Sequence, residues 1–175
     1  LAVFWLTVSG ATGLHASELH EVLKGLTPAL NRLGKATFRV VGFSLYDISL
    51  YAAAPFQPGQ YASIPLALEL TYARSLSGQA IAERSLTEMQ RVASIDTARQ
   101  SRWLAAMRTA FPDVKEGDRL LGLHDGKGGV QFWFNGQRRT ALQDPEFARL
   151  FFGIWLAPST SAPALRERLL EQAGG

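Results

Sequence analysis

Few residues in this chain are placed to do chemistry. Five polar side chains stand in apolar surroundings: Arg39, Tyr46, Asp47, Tyr51 and Tyr72. Arg39 lies inside Phe38-Arg-Val-Val41, a run of strand-forming residues. A guanidinium buried there is costly unless an anion meets it. The anion could be Asp47 or Glu69, which gives a structural ion pair. It could instead be the carboxylate or enolate of a ligand, which the planar fork of arginine grips well. A third reading leaves Arg39 on the surface of an edge strand. Tyrosines in strands pack their rings and hydrogen-bond at the tip, so the three tyrosines serve either a core or a ligand. Spacing adds a condition. Arg39 and Tyr46 are an odd number of residues apart and would face opposite sides of one regular strand. They share a site only if the strand bulges or breaks at Gly42.

Other chemistries find no support. The chain has no cysteine, which excludes disulfides, zinc-thiolate sites and a cysteine nucleophile. His15, His20 and His124 have no partner at metal-ligand spacing, so no metal site is expected. No G-x-S-x-G occurs. Gly126-Lys-Gly-Gly129 lacks the spacing of a phosphate-binding loop and reads as a plain turn. No cofactor is expected. The net charge of +3, from 18 basic and 15 acidic residues, is small and scattered, so no nucleic-acid partner is expected either.

The elements that must position these residues follow from composition and pattern. At 175 residues and 47% hydrophobic, the chain is long and apolar enough for one packed domain and is not disordered. Residues 1–16, LAVFWLTVSGATGLHA, read as the apolar region and cleavage site of a signal peptide. A buried N-terminal helix or strand is the alternative. The leader reading makes residues 17–175 the folded domain and its location periplasmic or secreted. The apolar run is shorter than the ~20 residues of a membrane span, and none is expected in the mature chain.

Residues 18–33 are broken by Gly25 and Pro28 and read as a turn of helix or a strand, then a loop. Residues 35–53 predict one long strand, or two joined near Gly42 by a bulge or bend. Residues 66–73 alternate as a strand. The period then changes. Residues 77–92 predict a helix with Ala80, Ile81, Leu86, Met89 and Val92 inward. Asp96 caps a second helix over 96–110, stopped by Pro112. Strands follow at 120–124 and 130–134. Asn135-Gly136 then predicts a type I′ hairpin into 137–142. Asp144-Pro145 predicts a cap and first turn for an apolar helix over 146–156. Ser161 is expected to cap a last helix over 163–172. Grouped strands and grouped helices give an α+β fold, an antiparallel sheet with helices packed on one face.

The residues also carry a family likeness. Gly34-Lys-Ala-Thr-Phe-Arg-Val-Val-Gly-Phe-Ser-Leu-Tyr-Asp-Ile-Ser-Leu-Tyr51 resembles the signature of bacterial chalcone isomerase-like proteins. The resemblance continues through Leu68-Glu-Leu-Thr-Tyr72, Glu83-Arg-Ser-Leu-Thr-Glu-Met89 and Phe111-Pro-Asp-Val-Lys-Glu-Gly-Asp118. It ends with Phe132-Trp-Phe-Asn-Gly136, Asp144-Pro-Glu-Phe-Ala148, Phe151-Phe-Gly-Ile-Trp-Leu156 and Ser161-Ala-Pro-Ala-Leu-Arg166. It implies an open-faced β-sandwich. The family's plant relatives divide in two: some cyclise chalcones and others bind fatty acids, holding the carboxylate with an arginine and a tyrosine. The family's catalytic threonine position falls on Tyr46, as in the fatty-acid binders. The catalytic tyrosine and asparagine positions fall near Ile81 and Glu88.

The resemblance therefore implies a non-catalytic binder of a small apolar carboxylate or fatty acid. Arg39 would be the anion anchor, with Lys35 as second candidate, and Tyr46 the hydroxyl partner. Val41, Phe43, Ile48, Leu50, Ile81, Met89 and Ile154 would be apolar neighbours. Two alternatives stand beside it. One is an intramolecular lyase acting on an enolisable substrate. The other is an envelope interaction module in which Arg39 pairs with Asp47 or Glu69.

Overall fold

Six strands form one antiparallel sheet in the order β1-β2-β3-β4-β5-β6, so each strand pairs with its sequence neighbour. They are β1 (Asn31–Val40), β2 (Phe43–Ala52), β3 (Pro65–Tyr72), β4 (Arg119–Asp125), β5 (Gly129–Phe134) and β6 (Gln137–Gln143). The computed structural model describes Leu23 and residues 28–173. The leader at 1–16 and most of the 18–33 segment lie outside these residues.

The expected bulge at Gly42 is a full chain reversal. Val41 (φ 49°) and Gly42 (φ 79°) form a two-residue turn, and β1 folds back on β2 as a hairpin. The register slips between Phe38 and Arg39, so Phe38 faces Tyr46 while Arg39 faces Ser44. Across β2–β3, Tyr46 stands opposite Tyr72. At the far edge Asn135-Gly136 makes the expected hairpin, with φ of 47° and 81°.

Four helices are described: α1 (Gly78–Val92), α2 (Thr97–Ala110), α3 (Pro145–Leu156) and α4 (Pro163–Leu169). Three begin on side-chain caps, of which Asp96 and Asp144 were expected from the sequence. Ser77 accepts from the Ala80 amide, Asp96 from Arg99 and Asp144 from Phe147. Each bond satisfies an amide that the first helical turn leaves unpaired. Ser161 does not cap α4, whose N-cap is Ala162 with no side-chain bond. Its hydroxyl donates to Glu88 instead.

The buried stripe of α1 also differs from the expected one. It runs through Gly78, Ala82, Ser85, Glu88 and Met89, while Ala80 is exposed and Ile81 and Leu86 are half-buried. By contrast α3 is buried on nearly every side, as its composition demands. Its Phe147, Phe151 and Phe152 join Phe132, Phe111 and Trp103 in a network of edge-to-face and stacked rings. Ile48, Leu50, Leu66, Leu68 and Met89 fill the rest of that core.

His124 on β4 is buried against the Phe152 ring, 5.5 Å between centroids, and its Nε2 accepts from the Gly128 amide. Burial pushes its pKa below the ordinary histidine value, with the Asp125 charge opposing. The unfolded chain, at about 6.5, therefore takes up a proton before the folded one does. Stability falls as pH drops from the unfolded value toward the lower folded value. The urea midpoint is expected to fall between about pH 7 and pH 5. The slope should be shallower in His124→Gln; identical slopes would remove His124 as the cause.

Candidate functional site

The end of the sheet near Tyr46 is not closed by its helices. A cavity of about 350 Å³ lies between β1, β2, α1, α3 and the turn before α4. Its walls are largely apolar: Phe38, Leu45, Tyr72, Ile81, Ile154 and Trp155. Tyr46, Arg84, Ser85, Glu88 and Ser161 also line it. The volume is near the lower bound of small-molecule sites, roughly 300–1,000 Å³.

Tyr46 is fixed on three sides. Its ring stacks on Phe38 at 5.1 Å and meets Tyr72 edge-on at 5.9 Å. Its hydroxyl accepts a 3.1 Å hydrogen bond from the Trp155 indole. Burial raises its pKa to about 12, with the indole bond pulling the other way. The phenol thus stays protonated at neutral pH and keeps its own proton for a ligand oxygen. Tyr72 is raised further by burial and by Tyr46 beside it.

The polar side of the cavity centres on Glu88, which is only 6% exposed. One of its oxygens accepts 2.7 Å from the Ser161 hydroxyl and lies 3.3 Å from Arg91 Nε. The other lies 2.6 Å from Arg84 Nη2, yet no donor among the described residues is aligned on it. Two guanidiniums therefore share one carboxylate, and the local balance is one positive charge in excess. Arginine has five donors, so Arg84 retains several for a second anion.

The expected site residues separate in space. Tyr46, Ile81 and Ile154 line the cavity. Ile48, Leu50 and Met89 are fully buried in the core and do not reach it. Phe43 and Val41 stand exposed at the hairpin tip. Arg39 is exposed and borders a shallow open depression with Lys35, Thr37, Asp47 and Arg168. Its Nε donates 3.3 Å to Ser44. Neither expected ion pair forms. Asp47 is held by Lys35 at 3.1 Å and by the Thr37 hydroxyl at 2.6 Å, while Glu69 pairs with Arg119 at 3.2 Å. The Thr37 bond is the main cause that lowers the Asp47 pKa, with Lys35 and Arg39 adding to it. The reason is alternation along β1: Phe38 pairs with Tyr46 on the cavity side, so its neighbours Thr37 and Arg39 face the other side. Sequence reasoning missed Arg84, Glu88 and Ser161 as one cluster. The local signal was the Arg84–Glu88 and Glu88–Arg91 spacing on one helix face.

A second depression, of about 440 Å³, lies around Leu30, Asp125 and Gln143. Asp125 there accepts from the Lys127 and Gly129 amides, so its carboxylate shapes the β4–β5 turn. Among the described residues no group of histidine and acidic side chains could hold a metal ion. No described helix is long and apolar enough to cross a membrane.

A six-stranded antiparallel sheet with helices layered over it defines an open-faced α+β fold, here with an apolar cavity at one end of the layer. The chain belongs to the chalcone isomerase-like family, which it matches over residues 19–171. It is 30% identical over 139 residues to a Haemophilus influenzae protein described as uncharacterized. That match covers 79% of this chain and 66% of the relative, so the chain spans just under two thirds of that protein's length. Among solved structures, it resembles the fatty-acid binding protein AtFAP1 of Arabidopsis thaliana. The TM-score is 0.65 at 11% identity, over 85% of this chain and 90% of that one. At that identity the likeness is one of fold.

Proposed function

We propose that this protein binds a small apolar carboxylate of the fatty-acid class in the cavity beside Tyr46. The observation that carries the reading is the pairing of an apolar pocket with a spare guanidinium. Arg84 has donors left after meeting Glu88, and the Tyr46 hydroxyl is a protonated donor in the same wall. The carboxylate would sit against Arg84 and Tyr46, and the chain would lie along Phe38, Leu45, Ile81 and Ile154. The fold it shares with a plant fatty-acid binding protein supports this class of ligand. In this reading Arg84 takes the anchoring role that the family resemblance implied for Arg39.

The test is titration of the purified protein with a fluorescent fatty acid and with its methyl ester. The acid should bind more tightly. Arg84→Gln should weaken it about tenfold, the lower end for charge-assisted hydrogen bonds because Arg84 is partly solvated. Arg39→Ala should leave affinity in solution unchanged. Equal binding of acid and ester, with no effect of Arg84→Gln, would sink the proposal. One observation also favours a lyase: the free Tyr46 proton could polarise a ligand carbonyl. A chalcone-cyclisation assay separates the two, and turnover abolished by Tyr46→Phe would replace the binder with an enzyme.

A further inference from the structure

The described residues expose large apolar side chains in one place. Val40, Val41 and Phe43 are 45%, 89% and 60% exposed, and all three crowd the tip of the β1–β2 hairpin. The backbone there argues against a passive tip. Both central residues of the turn, Val41 and Gly42, have positive φ. That is the turn for which Asn-Gly is favoured. The β5–β6 hairpin of this same chain builds matching geometry from Asn135-Gly136. A β-branched residue in that conformation is an outlier and is strained. Val41 gains nothing in return from the fold, since its side chain is almost wholly in solvent. A strained, exposed valine where asparagine fits better points to a partner outside the chain.

The charges around the tip say which kind. The Arg74 guanidinium lies 5.0 Å from the centroid of the Phe43 ring, and Arg39 precedes the tip on β1. No acidic residue occurs in residues 38–46 or 72–77. The tip is an apolar crown above basic side chains, which complements the acyl boundary and the anionic head groups of a lipid surface. A protein partner is less well matched, because three side chains fall far short of the roughly 800 Å² that each partner gives to a stable interface. Val40 belongs both to the crown and to the cavity wall, so a lipid surface at the tip also meets the cavity's edge.

We propose that the β1–β2 hairpin tip docks this protein on an anionic lipid surface, with Val41 and Phe43 entering the acyl boundary and Arg39 and Arg74 meeting head groups. The inference stands apart from ligand binding in solution. The test is flotation of the protein with phosphatidylcholine vesicles, with and without phosphatidylglycerol. The protein should float with the anionic vesicles, and Val41→Asn combined with Phe43→Ser should weaken this at least about tenfold. Val41→Asn alone should raise the melting temperature while weakening flotation, a split that a folding defect cannot produce. Protein left in solution with anionic vesicles, or Val41→Asn floating as well as wild type, would overturn the proposal. So would a Val41-dependent soluble complex with another protein in the absence of flotation.

Discussion

Replacing Trp103 with alanine is expected to cost about 3–5 kcal/mol, a large share of the roughly 5–15 kcal/mol that holds a domain together. Trp103 is fully buried on α2 and meets the Phe147 ring edge-on at 5.7 Å. Its indole donates 2.9 Å to an Asp144 oxygen that Arg102 also meets at 2.8 Å. The other Asp144 oxygen accepts from the Phe147 amide at the start of α3. One indole therefore fills the core and steadies the cap of the helix that carries Ile154 and Trp155 to the cavity. Trp103→Phe keeps most of the ring and loses the hydrogen bond, so about 1–2 kcal/mol is expected. Asp144→Ala removes the cap and leaves the indole unpaired, for about 2–4 kcal/mol. The double variant should cost less than the sum, because the two residues share a bond. Urea denaturation of the set measures this. A loss below about 1 kcal/mol for Trp103→Ala would mean that the site collapses around the gap.

Where local physics decides, the sequence was readable. Asp96 and Asp144 cap helices because their side-chain oxygens meet amides three residues on, and Asn135-Gly136 turns because both residues accept positive φ. The Val41-Gly42 reversal was legible only as an irregularity, since valine opposes the conformation it adopts there. Arg39 shows a different difficulty. An arginine between a phenylalanine and valines left burial and an edge-strand surface both open, and alternation along the edge strand β1 puts Arg39 outward beside Thr37. The inward stripe of α1 was misjudged because apolar content was the guide, and its buried face includes Ser85 and Glu88. Glu88 is tolerable there only because Arg84, Arg91 and Ser161 meet it. Ser161 lies 73 residues away in sequence, and no local pattern announces such a contact. Tyr46, singled out as a polar residue in a strand, lines the cavity.

Gly78→Ala is expected to be the most disruptive single methyl group added to the site's scaffold. A Cβ at Gly78 would collide with the carbonyl oxygen of Phe111 and the backbone of Pro112, neither of which can rotate away. The same stretch is pinned on both sides. The Gly78 amide donates 2.9 Å to Asp113, and Leu76 bridges to Val114. The first turn of α1 must therefore move as a unit, carrying Ile81, Arg84 and Glu88 with it. Overpacking typically costs about 1–3 kcal/mol, and a backbone collision belongs at or beyond the upper end. Gly59→Ala, which meets nothing within 4 Å, is the control and should be silent. The informative measurement is fatty-acid affinity at a temperature where Gly78→Ala is still folded. If the carboxylate is held by Arg84, a shift of α1 should weaken the free acid more than its methyl ester. If both weaken equally, the variant has only reshaped the apolar wall, and the charge that selects the ligand must come from elsewhere.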